Sequence, residues 1–252
     1  MAKLYERDDI YDLLESEARD SITQKHYETV FAGKSIGSLL DVSIGTGSMT
    51  LPLSKLGVQL SGSDLSPQML QRCQKKCDAR SIPITLKCCD FRNVSEVYHE
   101  QFDCVASTGN SLAYVSNADV LKALEQMDSL VRSQGYLYLD LRNWDMILKD
   151  RPRYYLYNPV FVGDTRVNLM QFWDYSPDGT VDFNLLYTFE QNNRIVQKEH
   201  FVEHYVPIRR RIVLDKLTDL GYRKIETMLL PAHFGDFDPD TGDWYCIIAQ
   251  KA

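Results

Sequence analysis

The run Leu39-Leu40-Asp41-Val42-Ser43-Ile44-Gly45-Thr46-Gly47-Ser48-Met49-Thr50 constrains this chain more than any other stretch. An apolar segment breaks into a turn of small residues and then into Leu51-Pro52-Leu53, which reads as strand, tight loop and helix start. Small side chains at Ser43, Gly45 and Gly47 let the backbone pass close to a ligand, and a helix that begins there points its first N–H groups at the same place. A second apolar run, Val58 to Ser63, ends at Asp64, 19 residues beyond Gly45, where a carboxylate can take both hydroxyls of a ribose. Turn and acid together predict a nucleotide-like cofactor.

A dinucleotide turn wants a third glycine, so that helix and strand close around a pyrophosphate, and here that position is Thr50. The substitution counts against a nicotinamide cofactor. The row Asp41-x-Ser43-x-Gly45-x-Gly47 resembles motif I of the class I S-adenosylmethionine (SAM) methyltransferases, whose first glycine is often another small residue, as Ser43 is. Asp64-Leu65-Ser66-Pro67-Gln68-Met69-Leu70 is similar to the acidic second-strand motif of that family and the helix after it. Cys89-Asp90-Phe91 and Asp103-Cys104-Val105-Ala106 continue the resemblance in register.

That resemblance implies SAM as cofactor and S-adenosylhomocysteine as product. It implies that Asp41, Ser43, Gly45 and Gly47 serve the methionine and ribose side, and that Asp64 takes the ribose. Leu65 and Met69 would flank the adenine, Asp90 with Phe91 would close on its amine and face, and Ser107 and Thr108 would add the end of strand 4. Helices ahead of the first strand cover the cofactor in such enzymes, which makes Tyr5, Tyr11 and Arg19 candidates for its methionine end, with packing or surface roles as the alternative.

The acceptor site is expected to begin at Ser107-Thr108-Gly109-Asn110-Ser111, which resembles a Gly-Asn-Ser segment of glycine N-methyltransferases. Asp140-Leu141-Arg142-Asn143-Trp144-Asp145 looks like their Asp-x-Arg-Asn segment. On that likeness Asn110 and Arg142 would grip an acceptor carboxylate, for which the planar fork of arginine is suited. Pairing of Arg142 with Asp140 or Asp145, to organise a loop, is the competing reading.

Strand-like and helical stretches alternate from Leu39 to the end, with strands near 38–43, 58–63, 84–89, 102–107, 135–141, 222–229 and 244–250 and helices near 49–56, 66–79, 118–132 and 207–220. The expected fold is α/β, a doubly wound seven-stranded Rossmann-like sheet. The resemblance supplies its order, 3-2-1-4-5-7-6, with strand 7 antiparallel. Residues 4–32 show helical spacing for two helices, with Asp20 or Ser21 as a cap between them. One domain is expected over 1–252, with 1–35 as a helical cover and 150–206 as an antiparallel β insertion. The insertion is rich in Tyr, Phe and Trp, suiting core or a homo-oligomer interface.

A formal net charge of −7 argues against a nucleic-acid partner. No apolar run approaches the ~20 residues that span a bilayer, and the acidic N-terminal stretch is unlike a signal peptide, so a cytoplasmic protein is expected. Cys73 and Cys77 share a helix face near Cys88 and Cys89, but neighbouring strand residues face opposite ways, so no metal site is expected. His200 and His204 read as surface groups, and His233 as a loop residue that could accept a proton. Two functions remain: a methyltransferase acting on a small-molecule acceptor, plausibly an amino-acid-like amine, and a SAM-binding sensor or interaction protein without turnover.

Overall fold

The computed structural model describes Leu4, Arg7, residues 10–13 and residues 15–252. These divide into two compact units, Met1–Leu14 with Ile147–Pro207 and Glu15–Met146 with Ile208–Ala252. The described residues ahead of Glu15 fall in the same unit as the antiparallel strands.

The larger unit opens on α1 (Glu17–Val30), capped by Ser16, whose side chain accepts from Arg19 N at 3.2 Å. The expected caps, Asp20 and Ser21, lie inside the helix. Ser21 instead donates back to the Glu17 carbonyl at 2.9 Å, a bond that lets serine sit within a helix. Residues 10–13 form turns, so the described part of this region holds one helix where the spacing suggested two.

The strands of this unit are β1 (Ser38–Asp41), β2 (Gln59–Asp64), β3 (Ile84–Cys88), β4 (Phe102–Ser107) and β5 (Val131–Arg142). Helices α2 (Pro67–Arg80) and α3 (Asn117–Leu130) intervene, and α4 (Trp144–Asp150) follows β5. The smaller unit contributes β6 (Tyr154–Leu156), β7 (Val160–Val162), β8 (Thr165–Tyr175), β9 (Val181–Gln191) and β10 (Arg194–Tyr205). The chain then returns through α5 (Arg210–Asp219), β11 (Tyr222–Leu229) and β12 (Trp244–Lys251). The large sheet runs β11-β12-β5-β4-β1-β2-β3, with β12 antiparallel to both neighbours, which is the expected 3-2-1-4-5-7-6 order. Order reverses between β1 and β4, the place where open α/β sheets bind their ligands at the carboxyl ends of the strands.

The helix expected over 49–56 is a 3-10 segment, Leu51–Leu56. Pro52 offers no N–H to an α-helical ladder, and Gly57, at φ 75, stops the segment after six residues. Cys73, Cys77, Cys104 and Cys246 are small apolar groups of the core around Leu39, Leu60 and Ile248, and all six cysteines are free thiols. His26 is buried on α1. Its Nδ1 accepts from Ala232 N at 2.9 Å, which leaves Nε2–H to donate to Tyr138 Oη at 2.8 Å. Arg209, from the basic triplet, pairs with Asp145 at 3.2 Å.

In the smaller unit, β10-β9-β8-β6 form an antiparallel sheet, with β7 also paired to β8. Period-2 alternation buries Val167, Leu169, Trp173, Phe183, Leu185 and Tyr187, and Trp173 stacks on Phe183 with centroids 4.1 Å apart. Asn192 and Asn193, both at positive φ, make the turn between β9 and β10. Among the described residues no helix is long and apolar enough to cross a membrane.

Candidate active site

Asp41 ends β1 with no exposed surface. Its carboxylate accepts from Ser43 N at 3.0 Å, from Thr108 Oγ1 at 2.7 Å and from the Thr50 hydroxyl. Burial pushes the Asp41 carboxyl up, against these donors. Thr50, the residue in place of a third glycine, is therefore a buried hydrogen-bond donor to Asp41. Ser43 joins the loops after β1 and β4. Its hydroxyl lies 3.0 Å from Ser107 Oγ, accepts from Thr108 N at 3.0 Å and donates to the Thr108 carbonyl at 3.2 Å.

Gly45 and Gly47 stand at φ 55 and 85. At Gly47 the tight approach is to the protein itself: a Cβ there would lie 2.7 Å from Leu51 Cγ and 3.0 Å from Cys73 Sγ. Gly62 on β2 has the same role, since its Cβ would meet Ile44 Cδ1 at 2.4 Å. The loop is clamped from outside by Glu15, whose carboxylate accepts from Lys76 Nζ at 2.6 Å and from the Ser48 hydroxyl. The sequence holds no local signal for this clamp, because 61 residues separate Glu15 from Lys76.

Asp64 closes β2. One oxygen accepts from Gly45 N at 3.0 Å and the other from Ser66 N at 2.8 Å, while burial pushes the carboxyl up. Each oxygen keeps a lone pair, so this half-buried side chain still matches a pair of vicinal hydroxyls. Beside it Leu65 is 69% exposed, whereas Met69 is 2% exposed and shows almost no surface. Asp90 is held below the usual carboxylate range by Arg92, whose fork reaches it at 2.5 and 3.0 Å. Phe91, partly buried, opens the 3-10 segment that follows. Asp103, at the other end of β4, accepts from Gly37 N and Ser38 N at 2.8 Å and anchors the start of β1, away from the crevice.

On the opposite wall Asn110 sits after β4 with φ 61. Its Oδ1 accepts from Arg142 N at 3.1 Å and from Trp144 Nε1 at 3.0 Å. The Arg142 guanidinium is 4.5 Å from the Trp244 ring centroid, and Arg142 is 7% exposed. Asp140 binds Gly109 N and Asp145 pairs with Arg209, which is how the two acids named as rivals for Arg142 are engaged. Asn143 fastens the end of β5 to the last loop through the carbonyls of Pro239 and Gly242 at 2.8 and 2.9 Å.

Residues 39–135 match a sequence family described as Methyltransferase domain. A glycine/sarcosine N-methyltransferase of Aphanothece halophytica is 27% identical over 249 residues, covering 95% of this chain and 86% of that protein. Residues 39–135 thus carry the match to a methyltransferase domain, and along nearly its whole length the chain is similar to an N-methyltransferase. The fold agrees with solved structures. A SAM-dependent methyltransferase of Clostridium acetobutylicum superposes with TM-score 0.75 at 14% identity over 96% of both chains. The SAM-bound amino pentose methyltransferase of Micromonospora echinaspora gives 0.74 at 15% identity, covering 100% of this chain and 98% of that one.

The cofactor of this methyltransferase is SAM, and the residues present suit it: a positive-φ glycine turn faces an acid with two oxygens available. Of the residues singled out from sequence, Asp41, Ser43, Gly45, Gly47, Asp64, Ser107 and Thr108 converge on the reversal point through the bonds above. Leu65, Met69, Asp90 and Phe91 follow on the β2 and β3 side. Arg19 is exposed on the first turn of α1, Tyr11 is partly buried in a turn of the smaller unit, and Tyr5 lies outside the described residues. Glu15, Lys76 and Arg92 are neighbours of these residues that sequence reading missed, and for Thr50 and Asp140 it missed the hydrogen bonds they make.

Proposed function

We propose that this methyltransferase acts on the amine of a small, carboxylate-bearing acceptor. One observation carries the reading: Asn110 Nδ2 is buried, with no hydrogen-bond partner among the described residues, beside Arg142. Both contacts of Asn110 Oδ1 are N–H donors, so the amide cannot be turned round, and the buried Nδ2 is left as a donor. An orphan amide donor on a residue bonded to the Arg142 backbone suits a carboxylate oxygen. The named relative, a glycine/sarcosine N-methyltransferase, supports the same acceptor class.

When bound, SAM supplies a methyl group on a sulfonium, which is already an activated electrophile. The protein then has to hold the acceptor nitrogen in line. Fixing two reactants in a near-attack geometry is worth about 7–11 kcal/mol of barrier. Asp64, Leu65 and Asp90 hold the cofactor at the β2 and β3 end in this reading, while Asn110 and Arg142 hold the acceptor acid at the β4 and β5 end. The test is release of S-adenosylhomocysteine from SAM with matched acceptors, glycine against glycinamide and sarcosine against sarcosinamide. Turnover confined to the acids is expected. Equal turnover of acid and amide, or turnover only of amines that lack an acid, would exclude it.

A further inference from the structure

A second buried polar atom stands close to Asn110 in the network. Asp140 Oδ2 has no hydrogen-bond partner among the described residues, although Asp140 is 1% exposed. The other oxygen, Oδ1, accepts from Gly109 N at 2.6 Å and from Asn110 N at 3.2 Å. Two consecutive amides converge on one oxygen because Gly109 and Asn110 both adopt positive φ, 73 and 61. A left-handed asparagine is disfavoured without compensation, and the carboxylate supplies it here. In that conformation the Asn110 side chain folds towards β5 and meets Arg142 N and Trp144 Nε1. Carboxyl, turn, amide and indole thus form one chain of contacts.

We infer that Asp140 is a positioning residue of the acceptor site, which holds the Gly109–Asn110 turn, aims the Asn110 amide N–H, and passes its own change of charge through that turn to Trp144. What Asn110 meets rests on the carboxylate reading above; the link from Asp140 to Trp144 rests on the contacts alone.

The surroundings make this carboxyl able to change state near neutrality. Burial pushes it up to about 7, with the charge of Asp41 adding to the effect and the two N–H donors opposing it. Facing it are Asp41 from β1, Tyr27 from α1, Cys246 from β12 and Tyr138 from its own strand. Burial pushes Tyr27, Tyr138 and Cys246 up, so they stay protonated while Asp140 exchanges its proton.

The chain has three tryptophans, so indole N–H resonances of the free protein resolve the test, with Trp144→Phe identifying the signal of Trp144. The Trp144 resonance is expected to move with pH about a midpoint near 7 in the wild type and to stay flat in Asp140→Asn. The amide oxygen of Asp140→Asn can still accept from both N–H groups. With glycine as acceptor probe, Asp140→Ala should raise KM about tenfold, one lost hydrogen bond's worth. Asp140→Asn should restore most of that loss, with SAM affinity by calorimetry changed less than about threefold in either variant. A Trp144 resonance that is flat in the wild type, or that titrates with an unchanged midpoint in Asp140→Asn, overturns the assignment. Glycine that is not a substrate of the wild type refutes the carboxylate reading and leaves the titration to decide the role of Asp140.

Discussion

At the carboxyl end of β2, each oxygen of Asp64 accepts one backbone N–H and the side chain stays half-buried; at the carboxyl end of β5, Asp140 spends one oxygen on two N–H groups and keeps the other sealed away without a partner. The two ends of one crevice are finished differently. At the β2 end the Asp64 carboxylate is satisfied by backbone N–H groups, although the neighbouring Ser63 Oγ is buried without a partner among the described residues. The acceptor end carries two orphaned buried atoms, Asp140 Oδ2 and Asn110 Nδ2, each costing about 1–3 kcal/mol while unmade. On the proposed reading, a ligand that satisfies the Asn110 donor recovers part of that cost.

The largest expected effect lies at the cofactor end. Asp64→Ala removes two charge-assisted hydrogen bonds to a ribose, at about 1.5–3 kcal/mol each, and strips Gly45 N and Ser66 N of their acceptor. SAM affinity by calorimetry should fall at least a hundredfold in a protein that still folds. Unchanged affinity in a folded variant would remove Asp64 from the site and dissolve the contrast with Asp140.

The next effect sharpens the acceptor end through stability. The Asp140 carboxyl rises from 3.8 unfolded to about 7 folded, so folding favours its protonated form. That contribution is full below pH 3.8 and is lost as pH rises through 7. Asp140→Asn, which stays neutral, should gain stability relative to the wild type across this window, on the order of a few kcal/mol, in urea unfolding at matched pH values. A difference between the two proteins that does not change with pH would contradict the buried charge. His26 has the opposite sign. Burial, aided by His233, lowers its pKa to about 4, so its neutral form is the folded one. Stability present above pH 6.5 should decline as pH falls towards 4, and His26→Gln should lessen that decline.

The smallest effect is at Asp90. Arg92 already engages both its oxygens, so a bond to the adenine amine would use only the remaining lone pairs. Asp90→Ala should weaken SAM by about 1 kcal/mol. Equal discrimination between SAM and its hypoxanthine analogue by wild type and variant would show that Asp90 does not read the base.

The strands themselves and the β insertion were legible because they rest on local periodicity and turn residues, such as the Asn192-Asn193 turn and the alternation through Phe183 and Leu185, whereas the order of the seven strands came from the family resemblance. The convergence of Asn110 and Arg142 was legible as well, because adjacent strands bring their following loops together. What escaped was long-range hydrogen bonding. Thr108 reaches Asp41 across 67 residues and Gly109 reaches Asp140 across 31, and no local pattern marks either bond. Gly47 misled for a related reason. A glycine allows close approach without stating to what, and the neighbours here are Leu51 and Cys73. Ser16 was passed over as a cap because Asp20 and Ser21, equally good cappers by type, lie a turn further on.

The division of labour between the two ends is tested most directly by measuring SAM affinity and acceptor KM side by side in Arg142→Lys. Lysine keeps the positive charge and loses the planar fork, so a bidentate carboxylate contact is weakened while the cofactor end is untouched. The expected result is an acceptor KM raised about tenfold or more for glycine at saturating SAM, with the SAM dissociation constant changed less than about twofold. A wild-type acceptor KM in this variant, or a loss of SAM affinity equal to the loss for acceptor, would contradict a crevice whose two ends hold separate ligands.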